Sequence, residues 1–238
     1  LVKQDRADAA AAIRDRIRAL TQVQTVQGIN PRGVAEAYVI GSRFIGNMAS
    51  ALILGDNIFY GSLLSDRLRT AGAREQGATV FTYPVNDPER YGVMVLDETG
   101  KPLAIEEKPE QPQTNLAVTG LYFYDRTVVD RARDLRPSAR GELEISALNN
   151  GYIADGDLHA EPLGRGFAWL DTGTHESLHE ASSFVRTIEH RQGYKIACLE
   201  EIGFENKWLD AEQMLRRADE LGKGDYAQYL RRRVKEMT

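Results

Sequence analysis

Two short apolar runs that end in aspartate constrain the fold of this 238-residue chain more than any other feature. Ala51–Leu54 stops at Gly55 and Asp56, and Ala168–Leu170 stops in the same way at Asp171. A short apolar run bounded by turn residues reads as a buried strand that delivers the residue at its end to the edge of a sheet. Ligands of open α/β sheets bind along that edge. Two carboxylates delivered there can share one hard divalent cation through oxygen. Between the runs, residues 105–109 read Ile-Glu-Glu-Lys-Pro and offer an ammonium to a phosphate or a sugar. A carboxylate-held cation beside a lysine is what a reaction on a nucleoside triphosphate requires.

The rest of the chain alternates between strand and helix patterns. Ile13, Ile17 and Leu20 recur at helical spacing and predict an amphipathic helix over residues 5–20. Further helices are predicted over 34–45, 63–73, 127–134, 142–152 and 175–191, with more helix over 210–235. Strands are predicted at 78–85, 117–124 and 158–163, and a hairpin pairs 93–96 with 103–106 across the turn 97–100. This alternation predicts α/β architecture. The expected division is a divergent helical segment over 1–26 and a second region over 27–238, whose core reaches about residue 190 and whose helical part covers about 205–238.

Composition removes several classes of function. Net charge is −5 and the pI is about 5.5, so the overall field does not favour a nucleic-acid partner. Cys198 is the only cysteine, which excludes an internal disulfide and a cysteine-cluster metal site. No apolar run approaches the roughly 18 residues of a membrane helix, and the expectation is a cytoplasmic protein without membrane contact. His175 and His179 are four apart, as in many zinc pairs, and read as a solvated helix face.

Six stretches carry a resemblance: Leu54–Gly61, Val85–Val93, Glu106–Pro109, Ala117–Asp125, Leu135–Ile145 and Gly164–His175. In this order, from Gly33 onward, they resemble the glucose-1-phosphate thymidylyltransferases, the sugar-nucleotide pyrophosphorylases that open the dTDP-rhamnose pathway. The resemblance implies the Rossmann-like mixed sheet of the nucleotidyltransferases, with helices at the C-terminus. It implies conversion of dTTP and glucose 1-phosphate to dTDP-glucose and pyrophosphate with Mg²⁺, and a homo-oligomer, tetramer or dimer. Carried over by motif, Asp56 and Asp171 become the Mg²⁺ ligands. Asn57, Gly92, Glu107, Lys108 and Val118 become the nucleotide-sugar contacts, with Lys108 meeting the sugar phosphate. Gln27 becomes the base reader, and Gly33 approaches the base.

The chain also departs from the family pattern. The Gly-Gly-x-Gly-Thr-Arg-Leu loop that grips the triphosphate is not found in residues 1–26, which contain no glycine. The fold is therefore expected to be shortened at its N-terminus, and a second reading is a catalytically silent sugar-nucleotide-binding or oligomer-forming subunit. Plainer readings of single residues stay open here. Asp56 or Asp171 can serve as a helix N-cap, and Glu107 with Lys108 can form an exposed ion pair. Asp155-Gly-Asp157 matches the metal motif of glycosyltransferases but reads as a β-turn, and the stripe Tyr122–Tyr124 reads as sheet packing.

Overall fold

The structure is a computed structural model that describes residues 32–237; the helix predicted over 5–20 and Gln27 lie outside the described residues. The chain divides into two compact units, one ending at Thr172 and one continuing from Gly173.

The first unit begins with helices α1 (Glu36–Ile40) and α2 (Ser42–Ile45), then strands β1 (Ser50–Ile53) and β2 (Asn57–Gly61). Helix α3 (Leu64–Gly72), strand β3 (Ala78–Pro84) and a 3-10 turn (Pro88–Arg90) follow. Next come strands β4 (Gly92–Leu96), β5 (Pro102–Glu107) and β6 (Leu116–Tyr124). Helices α4 (Val128–Asp134) and α5 (Ile145–Ala154) lead to β7 (Leu158–Pro162) and β8 (Phe167–Asp171). The α/β expectation holds, with three local differences. Strand β2 is not among the predicted strands. The helix over 34–45 breaks at Gly41, and α5 starts at Ile145 because Glu144 is still extended (ψ 135°).

The main sheet has the order β5-β4-β6-β3-β7, with β1 also paired to β6. Among the described residues, only β3 and β7 run parallel in this sheet. One edge of β6 follows β3 from Tyr124 opposite Ala78 to Leu116 opposite Pro84. Two strands share its other edge. β4 takes it at Ala117, and β1 takes it from Leu121 to Tyr124. Between them, at residues 118–120, that edge of β6 has no ladder partner among the described residues, so a gap opens in the sheet.

Both faces of the sheet are covered, which is why β3 and β6 read as nearly continuous apolar runs. One face packs Val80, Met94, Val118, Tyr122 and Tyr124 against helices α1, α2, α4 and α5. The other packs Phe81 and Leu121 against α3 and, through Phe59 and Phe167, against the β2–β8 ribbon.

A buried carboxylate ties the start of β3 to the end of β6. Asp125 accepts from the Gly77 N–H (2.9 Å), the Thr127 N–H (2.9 Å) and hydroxyl (2.6 Å), and the Tyr152 hydroxyl (3.0 Å). Gly77 has φ +82°, and a Cβ there would lie 2.2 Å from the Asp157 carbonyl oxygen, so only glycine fits.

In the second unit, α6 (His175–Gln192) starts with a capping box made by Thr174 and Ser177 and stops at the left-handed Gly193. Helices α7 (Leu199–Glu205), α8 (Ala211–Glu220) and α9 (Asp225–Met237) follow. Their core contains Cys198, Met214, Ala218, Tyr229, Leu230 and Val234. Inside it, Glu201 pairs with Arg233 at 2.6 Å and accepts from the Tyr229 hydroxyl, so the buried charge is compensated. Among the described residues, no helix is long and apolar enough to cross a membrane.

Burial pushes the Asp125 carboxyl up, but its four hydrogen bonds outweigh that effect and hold it below the ordinary aspartate value. Its stabilising contribution is therefore complete above the unfolded value, near pH 4, and is lost as the pH falls through the lowered folded value. Asp125→Ala is expected to cost about 3 kcal/mol in urea denaturation at neutral pH, with a smaller difference from the unaltered chain in strong acid.

Candidate active site

Leu54 leaves β1 by donating its N–H to the Gly120 carbonyl (2.9 Å), and after Gly55 and Asp56 the chain enters β2. β2 pairs antiparallel with β8, with Asn57 opposite Asp171. The ribbon closes at this end because Thr172 donates both its N–H (2.8 Å) and its hydroxyl (2.9 Å) to the Asp56 carbonyl. The two aspartates therefore sit side by side at one end of the ribbon. Neither is a helix cap. Asp56 precedes a strand, and α6 is capped by Thr174.

The gap in the sheet opens onto a cleft of about 200 Å³. Asp56, Asn57, Gly92, Glu107, Lys108, Val118 and Asp171 all line it. Hairpin pairing sets Gly92 opposite Glu107, and a Cβ at Gly92 would meet Ile105 at 3.3 Å and the Glu107 carboxylate at 3.5 Å. Glycine thus keeps this wall of the cleft open. Gly33 does not line the cleft, although Val34 does. With φ +100°, Gly33 packs against the Leu143 backbone, where a Cβ would come within 2.4 Å of the carbonyl oxygen.

Residues 1–188 match the family described as Nucleotidyl transferase. A glucose-1-phosphate thymidylyltransferase of Xanthomonas campestris pv. campestris (strain B100) is 61% identical over 201 residues, covering 84% of this chain and 68% of that protein. One from Neisseria meningitidis serogroup A is 54% identical over 207 residues, covering 87% and 72%. The chain belongs to the nucleotidyl transferase family, among the glucose-1-phosphate thymidylyltransferases. A Bacillus anthracis structure described by the same name, in complex with a sucrose, is 39% identical with a TM-score of 0.57, covering 66% of this chain and 62% of that one. A UDP-glucose pyrophosphorylase complexed with UDP-glucose, 23% identical with a TM-score of 0.58, shares the fold. The chain spans 62% of the length of each of these two solved chains.

The family's chemistry needs a divalent cation, and the donor set suits one. Asp56 and Asp171 offer hard oxygen atoms at adjacent ends of paired strands. Among the described residues, no group of three or more His, Cys, Asp or Glu is placed to hold a metal. Two carboxylates alone fit a hard divalent cation that keeps water and phosphate oxygens in its shell. The Arg90 guanidinium lies 3.9 Å from Asp171 and 2.7 Å from Asp87, which anchors it at the same rim.

The wall around Glu107 carries its own electrostatic tuning. Burial holds the Glu107 carboxyl above the ordinary range, and the nearby Glu144 adds to this. The Ser146 hydroxyl, Lys108 and Arg140 act in the opposite direction, with Arg140 at 3.8 Å from Glu107 and 3.6 Å from Glu144. Lys108 is exposed but not relaxed. Its φ is +44°, a conformation that non-glycine residues avoid, and its N–H donates to the Tyr91 carbonyl at 2.9 Å. Strain of this kind persists where the surrounding structure over-determines the backbone.

Several cleft residues escape the sequence reading: Arg90, Tyr91, Gly120, Ser146, Asn149 and Trp169. Period-2 alternation could have found two of them. Trp169 lies two residues before Asp171, and Gly120 lies between Val118 and Tyr122, so each shares a sheet face with its neighbour. Tyr122, read as packing, is buried and also lines the cleft. Asn149 is fully buried; its Oδ1 accepts from the Tyr124 hydroxyl (2.7 Å), while its Nδ2 has no partner among the described residues. Asp155-Gly-Asp157 lies away from the cleft. Gly156 has φ +77° in the turn between α5 and β7, and Asp155 pairs with Arg131 at 2.7 Å.

Replacing Lys108 by glycine relieves a left-handed conformation worth about 1–2 kcal/mol and adds unfolded-state freedom worth about 0.4–1 kcal/mol. Lys108→Gly is therefore expected to leave thermal stability unchanged or slightly higher while weakening sugar-phosphate binding. A clear drop in melting temperature would show that the strained geometry stabilises the fold.

Proposed function

We propose that the protein forms dTDP-glucose and pyrophosphate from dTTP and glucose 1-phosphate, with Mg²⁺. The observation that carries this reading is the meeting of Asp56 and Asp171 with Glu107 and Lys108 around one cleft. In the reaction, a phosphate oxygen of glucose 1-phosphate attacks the α-phosphorus of dTTP in line, and the bond to the leaving pyrophosphate breaks. Such chemistry needs alignment and charge neutralisation more than an acid–base pair. Asp56 and Asp171 would hold Mg²⁺, which would supply neutralisation of phosphate oxygens. Lys108 meets the sugar phosphate from the opposite rim. Glu107 accepts from the sugar hydroxyls, Gly92 leaves room for the ring, and Val118 forms part of the floor. Gln27 and Gly33 are assigned to the base, and the product's place in dTDP-rhamnose formation belongs to the same proposal.

Release of pyrophosphate from dTTP and glucose 1-phosphate tests the reading directly. Asp56→Asn and Asp171→Asn are each expected to lower the rate by about 10²-fold or more, because each removes charge that fixes the phosphates. Binding of dTDP-glucose without any release would instead support the silent-subunit reading.

Self-association as a dimer or tetramer is also proposed. Leu199 and Trp208, at 76% and 71% exposure, present large apolar side chains on the second unit, and the family resemblance points the same way. Light scattering is expected to report a mass of at least two chains, whereas a monomer at high concentration would contradict this part of the proposal.

A further inference from the structure

We propose that Asn57 is a positioning residue that aims the Asp56 carboxylate, and that Gly120 and Trp169 hold Asn57 for this task. The inference rests on the metal assignment made above for Asp56.

The side-chain carboxamide of Asn57 has only one possible orientation. Two groups approach its oxygen, the Gly120 backbone N–H at 3.0 Å and the Trp169 indole N–H at 2.6 Å. Both are donors only, so the atom they meet must be the oxygen. The nitrogen then faces Asp56 and donates to Oδ1 at 2.8 Å. No rotated amide satisfies all three contacts.

The approach to β6 is equally specific. Among the described residues, Gly120 lies where β6 lacks a strand neighbour on this edge, so its N–H would otherwise have no ladder partner there; Asn57 supplies the acceptor. A Cβ at Gly120 would lie 2.7 Å from Asn57 Oδ1 and 2.8 Å from its Cγ. Any other residue at 120 would push the carboxamide away. On the other side, Trp169 is fixed by its ring contacts with Tyr83 and Tyr91, with centroids at 6.0 and 5.1 Å.

The consequence for Asp56 is that both of its polar ends are held. Its carbonyl accepts from Thr172, and one carboxylate oxygen accepts from Asn57. An exposed aspartate otherwise rotates freely, and a cation that binds it must stop that rotation. With Oδ1 anchored, the remaining lone pairs keep a constant direction. Hydrogen bonds to ligating carboxylates act in this way in metal sites, and their loss costs about 10–100-fold in metal affinity.

The test is Mn²⁺ titration of the full chain by electron paramagnetic resonance in the presence of dTDP-glucose, with Asp56→Asn as the reference. Trp169→Phe keeps an aromatic ring and removes the N–H. It is expected to weaken Mn²⁺ binding about tenfold, to leave the melting temperature close to that of the unaltered chain, and to recover pyrophosphate release at high metal concentration. A purely structural role would not produce recovery by metal. Gly120→Ala is expected to weaken Mn²⁺ binding similarly, and if it fails to fold, Trp169→Phe decides alone. Unaltered Mn²⁺ affinity in Trp169→Phe, with Asp56→Asn impaired, overturns the positioning role but not the metal assignment. Unaltered affinity in Asp56→Asn overturns both.

Discussion

The contact between the Asn57 carboxamide and the Gly120 N–H is the point on which the cleft depends. A central strand cannot leave a buried N–H unpaired without a cost of about 1–3 kcal/mol. β6 faces that cost where β4 and β1 part, and a side chain resolves it in place of a strand. The sheet can therefore open without losing its hydrogen-bond balance. The same side chain joins three elements, because its oxygen also holds Trp169 of β8 and its nitrogen holds Asp56 before β2.

Opening a sheet along one edge of its central strand places different chemistry on each side of one gap. The β4–β5 hairpin brings Gly92, Glu107 and Lys108, while the β2–β8 ribbon brings Asp56 and Asp171. The Glu107 carboxylate thus stands across the opening from those of Asp56 and Asp171. Burial that holds Glu107 above the ordinary range and the left-handed backbone at Lys108 both lie on the hairpin side. The ribbon side is kept by hydrogen bonds to the backbone and carboxylate of Asp56.

Much of this was legible in the sequence. The apolar runs before Asp56 and Asp171, the hairpin around Asp97–Gly100 and the long helix from His175 follow from patterns of apolar residues and turn chemistry. The strand Asn57–Gly61 was not legible. Its residues Asn-Ile-Phe-Tyr-Gly show no alternation, because the ribbon is half-buried throughout rather than buried on one face. Helix α7 also escaped, since seven residues carry too few turns for a clear period. The motifs pointed to residues that the fold brings to one cleft, but the splitting of one β6 edge between two strands is a long-range pairing that no local pattern encodes. For the same reason Gly120, an ordinary glycine in an aromatic run, gives no sign that its missing Cβ admits Asn57.

In the proposed reaction a cation and the nucleotide sugar meet at this opening beside Trp169. The most direct measurement is the indole ¹H–¹⁵N resonance of Trp169, assigned with a Trp169→Phe variant, during addition of Mn²⁺ in the presence of dTDP-glucose. Strong paramagnetic broadening of that resonance is expected, and less of it when Asp56 is replaced by asparagine. A Trp169 resonance that stays sharp while Mn²⁺ binds would contradict the account, because the cation would then lie elsewhere.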